Sequence, residues 1–515
     1  MQNTDFLSVL NISSLIKIKD SSWNGHNYVE LDKMLTDDID VINYRLDALT
    51  DLMENDVLFE AVKEILPQLV VLQETRAMPG SDGEDIDNLF AIRDLQIYVN
   101  LIDFLNEKLN AAEISSKMFV KLKDGVAEIA QDESFERIKS AIPENTQLIS
   151  DMKSVTIGVN LDSGLHPAEA GIVSVNNRKF ASGSIIDKVL RLDLTDNPYQ
   201  CSAPLVSPSN LLTGRDEKRV FETALNTALY KLVRSSIRSW KPAVKAYTYA
   251  KTSFILSFYN DLRFLCAAAV FYRKLKEMRY PVCRPTVCPK EERKCIIKGM
   301  YYPQMVLDGM FMTENDFTCD DKGMLFIMSG ANSGGKTVYG KSAAVCQALF
   351  QLGLFVPAES AELSPASEIL LHFSALGTNP AQSRFTEECD KMSRIMHLAD
   401  EYSFIVCDES FSGTSAYEAA AISGEVIKAM SAKGCRGIFI THIHELSALP
   451  EQVNHLDICR SPIDNLTVKI DHSDGKRLYI VAREKTTGSS YASDIADKYG
   501  LSFEKLMNYK PDDGE

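Results

Sequence analysis

The sequence predicts a multidomain protein in which an α-helical region, with a small β-containing insertion, precedes a C-terminal α/β domain. Three observations support this prediction. Helical periodicity dominates from Glu30 to Met152 and returns over residues 216–280. Strand and turn residues prevail between these stretches, through about Thr213. Beyond Asn315, short apolar runs end in glycine, acidic or histidine residues, which is typical of buried strands in a parallel sheet.

The first predicted segment, residues 1–155, is the helical core. An irregular lead is expected over residues 1–30, with a hairpin-like stretch at Leu15–Lys19. Apolar residues then recur at helical spacing, interrupted by the loop Met78–Gly83. We therefore expect helices, and no sheet, over most of this segment.

The next two segments are the insertion, residues 156–215, and a second helical segment, residues 216–285, which we call the lever segment. Val155–Leu161 alternates in polarity and predicts a strand, and Gly171–Val175 predicts a second one. Proline, glycine and asparagine residues between the strands indicate turns. The last segment, residues 286–515, is the predicted α/β domain.

A basic stripe lies in the lever segment. Its five residues are spaced 3, 4, 3 and 4 apart, which places them on one helical face: Lys231, Arg234, Arg238, Lys241 and Lys245. The only acidic residue from Val220 to Asn260 is Glu222. Like charges at this spacing repel, so an acidic partner is expected. Nucleic-acid phosphates and the acidic helices around Asp47–Glu60 both fit that role, and Pro242 should end or kink the helix.

Residues 330–337 carry the pattern G-x-x-x-x-G-K-[ST]. The apolar run Met324–Met328 precedes them and the helix-compatible Val338–Leu352 follows, which is the strand–loop–helix context of a phosphate-binding loop. Backbone N–H groups and the helix N-terminus attract phosphate oxygens, Lys336 can reach the β- and γ-phosphates, and the Thr337 hydroxyl can hold Mg²⁺. ATP and Mg²⁺ are therefore the expected cofactors. The candidate nucleotide-binding residues are Gly330, Asn332, Ser333, Gly334, Gly335, Lys336 and Thr337.

A second apolar run, Ser403–Glu409, ends in two carboxylates. In a buried parallel strand, Asp408 is placed to hold the Mg²⁺ shell and Glu409 to polarise the water that attacks the γ-phosphate. The alternative is a solvated acidic turn after a core strand. The phosphate-loop pattern upstream favours the catalytic interpretation.

A third apolar run, Gly437–His444, ends in two histidines. Alternation along a strand puts His442 and His444 on one side and Ile443 on the other. We interpret His442 as a contact to the γ-phosphate. A capping or core role fits His444 better.

These motifs resemble those of the MutS family of ABC-type ATPases. The phosphate loop is similar to the family's G-P-N-M-G-G-K-S, whose distinctive Asn is retained as Asn332. Further stretches resemble family motifs in the family's order: Gly353–Glu359, Ser383–Glu388, Asp408–Ser415, Thr441–Leu446 and Ser489–Leu501. Upstream, Asp40–Leu49 resembles the helix that begins the family's core, and Phe264–Pro285 resembles its lever helix and the following turn.

The resemblance implies a C-terminal ABC-type P-loop ATPase domain with a helical dimerisation tail. It implies a head-to-tail homodimer with two composite ATP sites, in which Ser383 contacts the γ-phosphate bound to the partner. Lys336, Glu409 and His442 would act within their own protomer. Phe311 stands where the family places an aromatic that stacks on adenine, although an ordinary core Phe is an alternative.

The resemblance also implies a DNA-binding switch in mismatch repair or recombination, whose clamp opens and closes with ATP. Residues 156–215 occupy the position of the family's clamp in reduced form. We expect a member without the N-terminal mismatch-recognition domain and without the Smr domain, so mismatch specificity is in doubt. Arg384 stands where the family signature usually has Thr.

Composition limits the remaining choices. The net charge of −16, from 55 basic and 71 acidic residues, argues against attraction of the whole surface to nucleic acid. It leaves open an alternative in which the ATPase acts on a ribosome, RNA or protein partner. No secretory signal or membrane-length apolar stretch is evident, and the 11 cysteines are scattered. Reduced thiols and a cytoplasmic location are therefore expected.

Overall fold

The computed structural model describes residues 5–16, 31–77, 84–141, 154–161, 163, 167–179, 181–182, 200–201, 252–330, 335–373, 384–470, 477–485, 501 and 506–507. The chain divides into two compact units. One unit comprises residues 1–59, 115–118 and 263–515. The other comprises residues 60–114 and 119–262.

Helices account for most of the described residues before Ser154, as the periodicity predicts. They are α1 (Asp5–Val9), α2 (Ile12–Leu15), α3 (Leu31–Met34), α4 (Ile39–Glu54), α5 (Asp56–Ala77), α6 (Glu84–Ala111), α7 (Lys117–Gln131) and α8 (Glu133–Ala141). The α4 helix begins where the Asp38 carboxylate accepts hydrogen bonds from the backbone N–H groups of Asp40 and Val41. Ile42, Leu46 and Leu49 form its buried face.

The prediction of an irregular lead is wrong for residues 5–15, which form α1 and α2. Phe6, Leu10 and Ile12 are buried, so this short segment contributes apolar side chains to a core. Leu15 ends α2 and the buried Ile16 is its C-cap, whereas residues 17–19 of the expected hairpin-like stretch lie outside the described residues. The expected loop Met78–Gly83 also lies outside them.

The insertion contains the two predicted strands. β1 (Ser154–Leu161) pairs antiparallel with β2 (Pro167–Asn176), and two irregularities interrupt their register. Two short strands follow, β3 (Ala181–Ser182) and β4 (Gln200–Cys201), which pair in parallel. Helices α9 (Thr252–Ser257) and α10 (Tyr259–Glu277) come next, and α10 contains much of the predicted lever helix.

The C-terminal region contains two sheets. Its strands are β5 (Thr286–Val287), β6 (Cys295–Met300), β7 (Asn315–Cys319), β8 (Leu325–Ser329), β9 (Ser360–Leu363), β10 (Ile369–Phe373), β11 (Phe404–Asp408), β12 (Arg436–Ile440), β13 (Ile463–Ile470) and β14 (Arg477–Ala482). The larger sheet has the order β10-β11-β12-β8-β13-β14, and the smaller one β5-β9-β6-β7. Among the described strands of the larger sheet, only the β13–β14 pair is antiparallel.

The C-terminal region also contains helices, of which the last four contact strands of the larger sheet. They are α11 (Pro303–Leu307), α12 (Lys336–Gln351), α13 (Arg384–Leu398), α14 (Ala416–Lys433) and α15 (Leu449–Val453), with 3₁₀ turns at Lys290–Glu292 and His444–Ala448. Every residue of β8, β11 and β12 is buried, as expected of parallel strands with both faces covered. In the part of the chain that the structure describes, no helix is both long and apolar enough to cross a membrane.

Gly437 shows how closely the parallel strands approach. Its φ is +144°, and a Cβ atom there would lie 1.8 Å from the carbonyl oxygen of Ile405 on the neighbouring strand. That oxygen belongs to a paired backbone, so it cannot move away without disturbing the sheet. Only glycine fits this position.

We therefore expect Gly437→Ala to lower the free energy of unfolding by about 3 kcal/mol or more. Gly424→Ala is the matched control, because the nearest atom to a Cβ there is 3.9 Å away and the residue lies inside α14. The control should be neutral or stabilise by about 0.5–1 kcal/mol. Urea unfolding of both variants measures the difference, and equal midpoints would contradict the argument.

Candidate nucleotide site

The predicted phosphate loop joins β8 to α12, so strand, loop and helix follow one another as the motif predicts. Gly330 has a φ of +140° and Gly335 a φ of +85°, backbone conformations that glycine adopts without strain. Residues Asn332, Ser333 and Gly334 lie outside the described residues. Gly335 immediately precedes α12, so the N-terminus of this helix lies at the end of the loop.

Lys336 folds back over the loop. Its side chain is buried, and its Nζ atom donates a hydrogen bond to the Gly330 carbonyl oxygen at 2.6 Å. The ammonium group therefore lies at the first residue of the loop. A buried ammonium group and a helix N-terminus together make a local site for anions.

Asp408 ends β11 beside the start of α12. Its carboxylate is near the Thr337 hydroxyl, which opposes the shift in pKa that burial causes. Burial raises the pKa of Asp408, and the adjacent Glu409 raises it further, while Lys336 and Lys341 oppose the shift. The Oδ1 atom of Asp408 is buried without a hydrogen-bond partner. An unpartnered carboxylate oxygen next to a threonine hydroxyl is the donor set that a hard cation such as Mg²⁺ uses.

Glu409 follows in a left-handed conformation with a φ of +49°. Its backbone N–H donates to the Ile440 carbonyl oxygen at 3.0 Å, and its side chain is half-buried. The carboxylate thus belongs to the loop after β11, at the same sheet edge as Asp408. The solvated acidic turn does not describe Asp408, which is buried.

His442 comes after β12, which ends at Ile440, so both histidines lie beyond the strand. The next residue, Thr441, donates its backbone N–H to the Met328 carbonyl oxygen at 3.0 Å. His442 and His444 are both exposed while Ile443 is buried, so the expected alternation of sides holds beyond the strand. His442 therefore lies at the edge from which the phosphate loop leaves β8.

A cavity of about 300 Å³ adjoins Gly335. Methionine and aromatic side chains dominate its lining, among them Met300, Met305, Phe311, Met312, Tyr339 and Tyr479. Phe311 is 90% exposed, which rules out the alternative that it is an ordinary core residue. Its exposed ring beside polarizable methionine side chains suits a flat, largely apolar ligand group.

Tyr479 is a residue that the sequence reasoning missed. It has a φ of +54° in β14. The Asn315 side chain holds this strand, donating to the Tyr479 carbonyl oxygen at 2.9 Å and accepting from the Val481 N–H at 2.7 Å. A Cβ atom on Gly335 would lie 3.3 Å from the Tyr479 ring, so the ring contacts the end of the phosphate loop. No motif marks Tyr479, and only strand topology reveals its position.

Other predicted site residues lie outside the described residues: Ser383 and the basic stripe Lys231, Arg234, Arg238, Lys241 and Lys245. Their roles remain predictions. The residues that the structure brings together at one sheet edge are Gly330, Gly335, Lys336, Thr337, Asp408, Glu409 and His442.

Comparison with known proteins identifies the family. The family model for MutS domain V matches residues 326–507, and the model for the MutS2 N-terminal domain matches residues 37–278. The chain belongs to the MutS family. The mixed α/β C-terminal region that follows a helical N-terminal region fits this assignment.

Similar proteins carry the name DNA mismatch repair protein MutS. The one from Lactobacillus helveticus is 22% identical over 498 residues, which cover 90% of this chain and 55% of the relative. The one from an Exiguobacterium species is 24% identical over 473 residues, which cover 85% of this chain and 52% of the relative. The one from Ruegeria pomeroyi is 28% identical over 232 residues, which cover 42% of this chain and 25% of the relative. The chain thus spans about half the length, or less, of these relatives.

The buried Oδ1 atom of Asp408, which lacks a hydrogen-bond partner, leads to a stability prediction. Because its pKa is raised, the charged form is less favourable in the folded protein than in the unfolded chain, and it costs stability at neutral pH. Asp408→Asn should therefore stabilise the nucleotide-free protein by about 1 kcal/mol, while Mg²⁺-dependent stabilisation by nucleotide is lost. Thermal unfolding with and without Mg·ATP measures both effects.

Asp464→Asn is the matched control for this prediction. Asp464 forms an ion pair with Arg483, and that arginine also pairs with Asp320. Removing the Asp464 charge should lower the melting temperature and leave the Mg²⁺ effect in place. A nucleotide-free Asp408→Asn protein that melted lower than the wild type would contradict the interpretation of Asp408.

Proposed function

We propose that this protein is an ATP-dependent DNA-binding switch of the MutS family that hydrolyses ATP at composite sites between two protomers. The observation that carries the proposal is the grouping of Lys336, Thr337 and Asp408 at the edge where β8 and β11 end. The proposed Mg²⁺ ligands Thr337 and Asp408, the proposed phosphate contact Lys336 and the cavity beside Gly335 would together form one site. The four segments proposed for the chain are residues 1–155, 156–215, 216–285 and 286–515.

Binding of ATP would use three parts of the site. The loop from Gly330 to Gly335 and the N-terminus of α12 would hold the phosphates through backbone N–H groups. Phe311 would stack on the base, with Tyr479 on the neighbouring strand. Thr337 and Asp408 would hold Mg²⁺, which when bound neutralises charge on the β- and γ-phosphates.

Hydrolysis would depend on orientation of water and on preorganised charge. Glu409 is proposed to orient and polarise the attacking water, and Lys336 to stabilise charge on the phosphate oxygens. His442 is proposed to contact the γ-phosphate from the end of β12. Ser383 is proposed to reach the γ-phosphate bound to the partner protomer, so that each site requires both chains.

ATP would thus act as a conformational switch. A ligand shifts an equilibrium only by its differential affinity for the two states. Contacts to the γ-phosphate from both protomers would exist only in the closed dimer, so ATP would favour closure and hydrolysis would release it. The proposed result is control of a clamp on DNA, in mismatch repair or recombination.

The composite site leads to a complementation prediction. Lys336→Ala and Ser383→Ala homodimers should each lose at least about 99% of ATP turnover, because each loses charge stabilisation at both sites. A mixture of the two should recover activity, since a mixed dimer contains one site with both residues intact. Lys428→Ala, which removes an exposed ion pair with Glu425, should retain wild-type turnover.

Turnover of the mixture is measured against total protein over a dilution series. Activity that is recovered at high concentration and falls on dilution supports shared sites. A mixture no more active than either single variant would overturn the composite site. Wild-type turnover in Lys336→Ala would overturn the ATPase proposal itself.

The basic stripe leads to a second prediction. If Lys231, Arg234 and Arg238 contact phosphates, their triple alanine variant should reduce the slope of log affinity against log salt by about one unit per lost contact. A control that removes three basic residues elsewhere, Lys63, Arg137 and Lys428, should leave the slope unchanged. An unchanged slope in the stripe variant would assign the stripe to intramolecular pairing instead.

The acidic net charge of −16 favours one alternative, an ATPase of this family that acts on RNA, a ribosome or a protein partner. A binding panel separates the two proposals. It compares homoduplex, mismatched and branched DNA with structured RNA, each with and without Mg·ATP. ATP-dependent binding to RNA with no binding to any DNA would replace the first proposal by the second.

A further inference from the structure

The loop that carries the proposed catalytic carboxylate has an unusual backbone. We call residues Glu409–Gly413 the carboxylate loop. Glu409 and Phe411 both have left-handed backbones, with φ values of +49° and +63°. Such conformations cost of order 1 kcal/mol or more for residues other than glycine. Contacts from the surrounding structure must therefore hold this loop in place.

His372 on β10 supplies the first of these contacts. Its Nδ1 atom and the Ser410 Oγ atom form a hydrogen bond of 2.8 Å. Its ring stacks on Phe411, with centroids 6.4 Å apart and planes inclined by 28°. The side chain is only 1% exposed. Burial lowers the pKa of His372, so the ring is held in its neutral form near pH 7.

Glu388 on α13 supplies the second contact. Its Oε1 atom accepts a hydrogen bond from the Ser412 hydroxyl at 3.2 Å, and its Oε2 atom accepts one from the Gly413 N–H at 3.4 Å. Glu388 is buried, and the hydrogen bonds to its carboxylate are charge-assisted. The carboxylate therefore fixes the far end of the carboxylate loop to a helix.

The first turn of α13 also touches the loop directly. The Phe385 ring meets Phe411 edge to face, with centroids 6.5 Å apart. A Cβ atom on Gly413 would lie 2.9 Å from the Phe385 backbone nitrogen. This close approach joins the start of α13, which follows Ser383, to the loop that carries Glu409.

We propose that His372 and Glu388 are positioning residues, which hold the carboxylate loop so that Glu409 is oriented for hydrolysis and moves together with the first turn of α13. This inference rests on the proposed ATPase function and deepens it. Neither residue needs to touch ATP. Their effect is expected on the catalytic step and not on nucleotide binding, because the phosphate loop and the base cavity belong to other elements.

The test is a double-mutant cycle on ATP turnover. His372→Phe keeps the ring that stacks on Phe411 and removes the hydrogen bond, and Ser410→Ala removes the same bond from the other side. Each should lower kcat by up to about a hundredfold, with KM for ATP within about twofold of wild type. The double variant should be no slower than the slower single variant, since both remove one interaction.

Two further variants separate positioning from general damage. His372→Asn restores a hydrogen-bonding atom near the place of Nδ1 and should recover most of the lost kcat. Gly413→Ala should lower kcat without altering any charge, because its Cβ would push the loop away from Phe385. Asp390→Asn, an exposed carboxylate on the same helix, serves as the control and should behave as wild type.

The outcomes are distinct. Wild-type kcat in His372→Phe and Ser410→Ala, or losses that multiply in the double variant, would overturn the inference while the ATPase proposal stands. Losses in kcat accompanied by equal rises in KM would also overturn it, because they would indicate general loss of the site. Absence of turnover in the wild type would overturn the proposed function and this inference with it.

Discussion

The parallel pairing of β11, β12 and β8 is the constraint on which the candidate site depends. Asp408 pairs with Ile440, and Ile440 pairs with Met328, so the three strands end level with one another. Because parallel strands present their carboxyl ends at one edge, segments far apart in the chain bring their polar residues together there. Gly437 permits the close approach of β12 to β11 at the other end of the pairing. Any change that shifted the register would separate Lys336 from Asp408.

The edge created by this pairing is electrostatically costly. Burial raises the pKa of Asp408 although Lys336 and Lys341 pull it the other way, so desolvation outweighs the attraction of two cations. A site selected only for stability would have a neutral residue here. A buried carboxylate with an unpartnered oxygen, next to a buried lysine, is instead consistent with a site that a cation and an anion complete together.

Sequence reasoning succeeded where a residue's role follows from local order along the chain. The strand before Gly330, the helix after it and the strand that ends at Asp408 all depend on short apolar runs and adjacent motif residues, and the structure confirms them. It failed at α1 and α2, where two helices are too short for a clear period and are stabilised by burial of Phe6 and Leu10. It also missed Tyr479, since its proximity to Gly335 depends on which strands are neighbours in space and not on spacing along the chain.

The α12 helix connects the candidate site to the segment that begins the helical core. Its N-terminus lies at the phosphate loop, and its last residue, Gln351, exchanges hydrogen bonds with Thr36, accepting the Thr36 N–H at 3.0 Å. The Arg45 side chain on α4 donates to the Leu352 carbonyl oxygen at 3.2 Å and covers Gly353, where a Cβ would lie 2.7 Å from it. The α12 helix therefore extends from the phosphate loop to the contacts with Thr36 and Arg45. The segment that begins the helical core is thus attached to the end of the helix on which the nucleotide site is built.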